Sequence, residues 1–251
     1  MDKSTFEKEY EVQYHEIDFK GRLLVTSLIN YFADVATKHS EAIGGSLKYL
    51  KEKGIAWVLY KWNINIDKSP YYGEKITIRT KACSFKKFYA YRTFHVMDEE
   101  GNVIAYANSL WILIDVSRRK ILRITQDIYK MYGINEKSEY LMDIKKIKLP
   151  EKFSIEKSFE VRYSDIDTNR HVNNVKYVDW IIETIPLDIV LNYSIENLNI
   201  TYEKEAKYGE IITIHTELNK QDEGYISIHE IVDKEGKRLS AIEAVLGKIK
   251  G

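Results

Sequence analysis

The sequence contains a single cysteine, Cys83, among 251 residues. One cysteine excludes an intramolecular disulfide and cannot supply a zinc site built from several cysteines. No apolar run reaches the roughly 18–20 residues that a membrane-spanning helix needs, and the start of the chain lacks the apolar core of a secretory signal. We therefore expect a soluble protein of the reducing cytoplasm.

Net charge is also absent. Lys and Arg together number 38, and so do Asp and Glu, so no overall field favours a nucleic acid or an anionic membrane as a partner. The chain has no G-x-S-x-G elbow, no phosphate-binding loop and no G-x-G-x-x-G pattern. Serine hydrolases and nucleotide-binding enzymes thus lack their required residues here.

The composition indicates a well-packed globular protein. Apolar residues make up 44% of the chain, and its 19 tyrosines favour strand over helix. Histidines outside the polar cluster described below are scattered without ligand-like pairing, so we expect no metal and no cofactor. They are His15, His39, His95, His215 and His229.

The chain repeats itself, and the repeat predicts two domains of similar build. Three pairs of segments match in the same order: residues 11–18 with 160–167, 72–80 with 208–216, and 97–101 with 232–236. In each half a short strand precedes a stretch with apolar residues at helical spacing, and four alternating segments typical of strands follow. The expected strands lie near residues 55–66, 75–83, 88–98 and 103–115, and again near 197–203, 210–219, 224–233 and 238–249.

Two helices are expected between these strands. The first carries an apolar stripe from Val25 to Ala36 and stops at Gly44, and the second runs from Val175 to Ile185 and ends at Pro186. This order predicts an α+β protein of two tandem hot-dog domains, each a long helix wrapped by a curled antiparallel sheet. We expect domains at residues 1–116 and 158–251, joined by a charged, partly helical linker at 117–157.

A dense polar cluster covers residues 165–174, just before the second predicted helix. A helix N-terminus offers unpaired N–H groups and a partial positive charge, which would stabilise an oxyanion developing there. Asp, Thr and Asn are also ordinary turn and capping residues. Capping does not explain His171 or the presence of three asparagines, Asn169, Asn173 and Asn174.

The repeat helps to separate these interpretations. Asp18 matches Asp167, whereas Lys20 stands opposite Asn169 and Arg22 opposite His171. If these residues only capped a helix, both halves would need them. The asymmetry indicates one working site, in the second half, and one degenerate site.

The segment V-R-Y-S-D-I-D-T-N-R-H-V-N-N-V-K-Y-V-D-W-I-I-E, residues 161–183, resembles the signature of the acyl-acyl-carrier-protein thioesterases of plants and bacteria. The resemblance implies hydrolysis of a fatty acyl thioester on acyl carrier protein, with an acyl tunnel largely in the first half. Its functional residues correspond to Asp167, Asn169 and His171, and a Y-x-x-E pattern in the next strand points to Glu205.

The plant enzymes carry a cysteine after that glutamate, where this chain has Ala206. We therefore expect direct attack by water, with Glu205 as the base, Asn169 orienting the water or the carbonyl, His171 assisting the leaving thiolate and Asp167 holding the loop. The roles of Glu205 and His171 could be exchanged.

Several points stay open at this level. An acyl-CoA thioesterase and a non-catalytic acyl-binding module share this fold, because a fold alone does not determine activity. The acyl chain length and the choice between monomer and homodimer are not indicated. The carrier protein is acidic, so basic residues are candidates for docking it. They are Lys86, Lys87, Arg118, Arg119 and Lys120.

Overall fold

The computed structural model describes residues 2–138, 140 and 145–249. The chain divides into two compact units, the first comprising Met1–Tyr60 with Ile66–Asp143 and the second Lys61–Asn65 with Ile144–Gly251. Residues 139 and 141–144 of the expected linker lie outside the described residues.

The first unit combines a long helix with an antiparallel sheet. Its elements are β1 (Thr5–Glu11), a 3-10 turn (Tyr14–Glu16), α1 (Val25–Ala42), α2 (Leu47–Lys53), β2 (Ile55–Ile66), β3 (Lys75–Lys86), β4 (Tyr89–Met97), β5 (Val103–Asp115), β6 (Lys120–Ile121) and α3 (Gln126–Tyr132). The strands follow the order β1-β3-β4-β5-β2, with β6 paired to β5. The four predicted strands of this half are confirmed, and the largest shift is a longer end of β3.

The predicted apolar stripe explains how α1 packs on this sheet. Leu28, Ile29, Phe32 and Val35 are buried, and the Phe32 ring lies 4.9 Å from that of Phe94 on β4. Side chains three and four residues apart share one face of a helix, so one stripe covers the sheet. The long helix against an antiparallel sheet is the expected hot-dog arrangement.

The second unit repeats this plan with a shorter helix. Its elements are β7 (Ile155–Glu160), a 3-10 turn (Tyr163–Asp165), α4 (Asn174–Ile182), α5 (Leu187–Asn192), β8 (Tyr193–Tyr202), β9 (Ile211–Lys220), β10 (Gly224–Asp233) and β11 (Arg238–Lys248). The strands follow the order β8-β11-β10-β9-β7, and the part of β2 that belongs to this unit, Lys61–Asn65, pairs antiparallel with β8. All four predicted strands are present, and β8 begins earlier than expected because it follows α5 directly.

The second predicted helix was too long. It ends at Ile182 because the chain turns, with the Thr184 N–H donating to the Ile181 carbonyl at 3.0 Å. Ile185 is still buried, although it lies beyond the helix. Pro186 does not end this helix but precedes α5, where a residue without an N–H is tolerated.

Two short helices were not predicted, α2 and α5. The Ser46 hydroxyl caps α2 by accepting a hydrogen bond from the Tyr49 N–H at 3.2 Å, and Gly54 ends it at φ 65°. Each helix has at most seven residues, too few for an apolar period to stand out.

His229 on β10 is fully buried in a polar cluster of the second unit. Its Nδ1 lies 2.7 Å from the Thr216 hydroxyl and its Nε2 lies 2.9 Å from the Ser227 hydroxyl. Burial lowers the pKa of His229 from 6.5 to about 3. The ring is therefore neutral in the folded protein at neutral and mildly acidic pH.

This burial predicts a loss of stability in acid. Between the unfolded value of 6.5 and the folded value of about 3, the unfolded chain binds a proton that the folded protein does not. The free energy of unfolding therefore decreases as the pH is lowered through this window, by about 1.4 kcal/mol per pH unit. Lowering the pH from about 6.5 to about 4.5 should cost about 2 to 3 kcal/mol. Measured by urea unfolding, the free energy of unfolding of His229→Gln should decrease by about that much less than that of the wild type between these pH values. An equal loss in wild type and variant would contradict this, and His15→Gln, at an exposed histidine, serves as the control.

Candidate active site

The polar cluster forms a loop whose two ends are joined at Asp165. The buried Asp165 carboxylate accepts hydrogen bonds from the Arg162 N–H at 2.8 Å and from its guanidinium at 3.0 Å. The Asp165 carbonyl accepts the Asn173 N–H at 2.8 Å. Burial acts to raise the pKa of Asp165, but the hydrogen bonds from Arg162 outweigh it and leave the pKa lowered. Asp165 thus stays charged and closes the loop.

Asp167 organises the loop interior. Its carboxylate Oδ1 accepts the Asn169 N–H at 2.8 Å and the His171 N–H at 3.4 Å, and its own N–H donates to the His171 carbonyl at 2.8 Å. The turn requires Arg170 at φ 66°, a left-handed conformation that is uncommon for a residue with a side chain. Asp167 therefore sets the backbone on which His171 stands.

His171 and Glu205 face each other across two loops. Nε2 of His171 lies 3.3 Å from Oε2 of Glu205, and the side chains are 16% and 31% exposed. The residues that follow them, Val172 and Ala206, are hydrogen-bonded to each other, with the Val172 N–H donating to the Ala206 carbonyl at 2.9 Å. This bond brings the two side chains together. Glu205 lies in the loop after β8, which ends at Tyr202. The Y-x-x-E pattern was expected in the strand, so only its tyrosine lies there.

Asn169 occupies the outer side of the loop. The residue is exposed, and its Nδ2 donates to Oδ2 of Asp167 at 3.4 Å. The structure thus brings His171 and Glu205 into direct contact, with Asp167 beneath His171 and Asn169 bonded to Asp167.

The start of α4 is already capped by the protein. The side-chain Oδ1 of Asn173 accepts the Val175 N–H at 3.1 Å, and the backbone carbonyl of Asn173 accepts the Lys176 N–H at 2.8 Å. These two N–H groups are engaged within the protein, and the role of the helix start in stabilising an oxyanion stays a prediction. Capping does explain one of the three asparagines of the cluster, Asn173.

The first unit contains the same loop with different occupants. Asp18 accepts the Lys20 N–H at 2.8 Å and the Arg22 N–H at 3.0 Å, as Asp167 does in its loop. The other oxygen of Asp18 is taken by the Arg22 guanidinium at 2.7 Å. The Leu23 N–H donates to the Pro70 carbonyl at 2.8 Å, so Ser69 stands where Glu205 stands in the second unit. The scaffold is shared, but the imidazole and the carboxylate are not.

Tyr177 was not predicted as part of the site. It lies on α4, is 2% exposed, and its hydroxyl accepts the Ala206 N–H at 3.2 Å. It was not among the apolar residues expected at helical spacing on this helix, and no role was predicted for it. The repeat contained the missing signal, because Leu28 matches Tyr177 and Pro70 matches Ala206.

The candidate docking residues lie at two turns of the first unit. Lys86 and Lys87 belong to the β3–β4 turn, and Arg118–Lys120 precede or begin β6. The Lys87 carbonyl accepts the Ile124 N–H at 2.9 Å, which ties the segment after β6 to the β3–β4 turn. Lys86 is partly buried and the others are exposed.

Among the residues that the structure describes, no helix combines the length and the apolar character needed to cross a bilayer.

Curated relatives of this chain include plant proteins. The chain is 23% identical over 240 residues to palmitoyl-acyl carrier protein thioesterase, chloroplastic, of Arabidopsis thaliana, with 90% of this chain and 58% of that protein covered. It is 23% identical over 229 residues to oleoyl-acyl carrier protein thioesterase 1, chloroplastic, of the same plant, with 84% and 63% covered. The chain therefore spans about three fifths of the length of these relatives.

Solved structures share its fold over nearly the full chain. A putative oleoyl thioesterase from Lactobacillus plantarum is 26% identical with a TM-score of 0.89, covering 99% of this chain and 98% of that one. The 12:0-ACP thioesterase from Umbellularia californica is 19% identical with a TM-score of 0.88, covering 98% and 94%, which shows the fold.

Family models match both halves of the chain. The acyl-ACP thioesterase N-terminal domain matches residues 3–132, and the acyl-ACP thioesterase C-terminal domain matches residues 148–246. Since these matches cover well over half of the sequence, the chain belongs to the acyl-ACP thioesterase family.

Proposed function

We propose that this protein hydrolyses the thioester of a fatty acyl chain carried on acyl carrier protein, releasing a free fatty acid and the carrier thiol. The observation that carries the proposal is the contact of 3.3 Å between His171 and Glu205, on a loop held by Asp167. An imidazole beside a carboxylate is a common arrangement for moving a proton during acyl transfer. Family membership supports the acyl thioester as substrate.

The proposed reaction is a direct attack by water. Glu205 accepts a proton from water as the new C–O bond forms at the thioester carbon. The C–S bond then breaks, the leaving thiolate takes a proton from His171, and His171 recovers a proton from Glu205 across their 3.3 Å contact, which restores both groups. Asn169 orients the water or the carbonyl. Exchanged roles fit the same contact, with Glu205 orienting His171 as the base.

No cysteine nucleophile enters this mechanism. Cys83, the one cysteine of the chain, belongs to the first unit on β3. The residue after Glu205 is Ala206, which is fully buried and has no nucleophilic atom. A covalent acyl-enzyme on sulfur is therefore not part of the proposal.

We assign the reaction to the second half, taken as residues 158–251, and the acyl tunnel to the first, residues 1–116, with residues 117–157 as linker. The loop of the first unit supports this assignment, because the Arg22 guanidinium bonded to Asp18 occupies the position of His171. The polar set needed for hydrolysis is present once.

The carrier protein is the proposed partner, docked by the basic residues of the two turns in the first unit. All of these lysines and arginines except Lys86 are exposed, and the segment after β6 is joined to the β3–β4 turn by the hydrogen bond between Ile124 and Lys87. Complementary charge chiefly accelerates encounter and weakens with salt.

The proposal is tested by fatty acid release from acyl carrier protein and CoA thioesters of several chain lengths. We expect a higher kcat/KM for the carrier substrates, and a larger decrease of this value with added salt for them than for CoA substrates. Preference for CoA would instead indicate an acyl-CoA thioesterase. Tight acyl binding without release would indicate a binding module, and no hydrolysis of any substrate would refute the proposal.

A further inference from the structure

The loop that carries Glu205 is held on both sides of Ala206. The Ala206 carbonyl accepts the Val172 N–H at 2.9 Å, and the Ala206 N–H donates to the Tyr177 hydroxyl at 3.2 Å. Ala206 is fully buried and Tyr177 is 2% exposed, so water does not compete freely for either group. The peptide that links Glu205 to Ala206 is therefore tied directly to α4.

Only one of these two hydrogen bonds exists in both halves. In the first unit the Pro70 carbonyl accepts the Leu23 N–H at 2.8 Å, which corresponds to the bond between Val172 and Ala206. Proline has no N–H to donate. The residue matching Tyr177 is Leu28, the fourth residue of α1 as Tyr177 is of α4, and it has no hydroxyl.

The distribution separates a structural bond from a functional one. The bond to the carbonyl is kept in both halves, which is expected of a contact that the fold itself requires. The hydrogen bond from the Ala206 N–H to the Tyr177 hydroxyl exists in the half that has Glu205. The half that has Ser69 lacks both the donor and the acceptor of this bond.

We propose that Tyr177 is a positioning residue for Glu205, holding the 205–206 peptide through the Ala206 N–H so that the carboxylate stays beside His171. This inference rests on the proposed function and adds a residue to it. A displacement of about 1 Å in a catalytic group can lower a rate about 10²-fold, so a single bond at the adjacent peptide can matter for turnover.

The hydroxyl is suited to this role over the working range of pH. Burial raises the pKa of Tyr177 to about 12, although the hydrogen bond from Ala206 acts to lower it. The group is therefore a neutral hydroxyl whose oxygen accepts the Ala206 N–H.

Tyr177→Phe tests the role with the ring retained. The ring packs against those of Trp180 and Tyr202, each with centroids 5.6 Å away, and phenylalanine keeps this packing. We expect kcat to fall about tenfold with KM changed less than about twofold. Tyr132→Phe is the matched control, since it removes another buried tyrosine hydroxyl, one that lies 2.8 Å from the Ser40 hydroxyl in the first unit, and should leave kcat near wild type.

A second background distinguishes positioning from general stability. If Tyr177 acts through Glu205, then Tyr177→Phe should change kcat less than about twofold when Glu205 is already alanine. An equal loss in both backgrounds, or no loss in the wild-type background, would overturn the inference.

Amide hydrogen exchange provides a readout that needs no activity. In Tyr177→Phe the amides of Ala206 and Val172 should exchange faster, while those of β9 and β10 stay as in wild type. Unchanged exchange at Ala206 refutes the inference even in an active enzyme. Absent hydrolysis by the wild type refutes the proposed function instead, and faster Ala206 exchange would still support the hold on the Glu205 loop.

Discussion

Glu205→Ala is expected to lower kcat for acyl carrier protein thioesters by about 10³-fold, because loss of a positioned base removes a factor of about 10² to 10⁴. The carboxylate lies 3.3 Å from the His171 ring and is partly buried, where water replaces it poorly. Acyl binding should persist, since the substitution removes only the carboxylate at the reacting end. Single-turnover rates and acyl binding, measured on the same preparation, test both statements.

Ser69→Ala is the matched control for this substitution. Ser69 occupies the corresponding place in the first unit, directly before Pro70, whose carbonyl is bonded to Leu23. The Ser69→Ala protein should hydrolyse the substrate at the wild-type rate. A Glu205→Ala protein that keeps more than about a tenth of wild-type kcat would rule out Glu205 as the base or as its partner.

His171→Ala is expected to lower kcat by about 10² to 10³-fold, since the imidazole supplies or removes a proton in either version of the mechanism. Combined with Glu205→Ala it should add less than about tenfold to the larger single loss, because residues that act as a unit are not additive. Steady-state rates of the two single variants and the double variant provide the measurement.

His215→Ala is the control for removing a histidine beside carboxylates. His215 on β9 lies 3.4 Å from Glu156 and 3.8 Å from Glu230, so it resembles the His171 pair in chemistry but lies on a strand outside the loop. Its loss should leave kcat unchanged. An equal decrease of kcat in the His171 and His215 variants would mean that the substitutions act by disturbing the fold and not by removing a catalytic group.

The pH dependence of the residual activity separates the two versions of the mechanism. The base must be deprotonated, so its removal eliminates the acidic limb of the kcat profile. If Glu205 is the base, the limb disappears in Glu205→Ala and persists in His171→Ala. The opposite result would assign the base to His171, with Glu205 orienting the ring.

Much of the scaffold was predictable because its signals are local. Alternation at every second residue predicted all eight long strands, and the apolar stripe predicted where α1 packs. The short helices α2 and α5 and the early end of α4 were missed, because one or two turns of helix leave no period and the turn at Thr184 depends on side-chain burial.

The candidate site was predicted in part. The asymmetry of the repeat singled out Asn169 and His171, the family resemblance pointed to Glu205, and the roles given to them stay predictions. Comparison of the halves at Leu28 and Pro70 would have revealed Tyr177, for which no role was predicted. The capping role of Asn173 became evident only from its hydrogen bond to the Val175 N–H.

The amino-acid sequence by itself determined the duplicated architecture and the polar set that one half has and the other lacks, since both follow from comparing the chain with itself. Only the tertiary structure decided that Glu205 meets His171 and that Tyr177 holds the peptide beside it. Those contacts run through backbone groups that most residue types possess. Comparing the halves shows that Pro70 and Leu28 lack the matching N–H and hydroxyl, but the sequence does not show which groups meet in space.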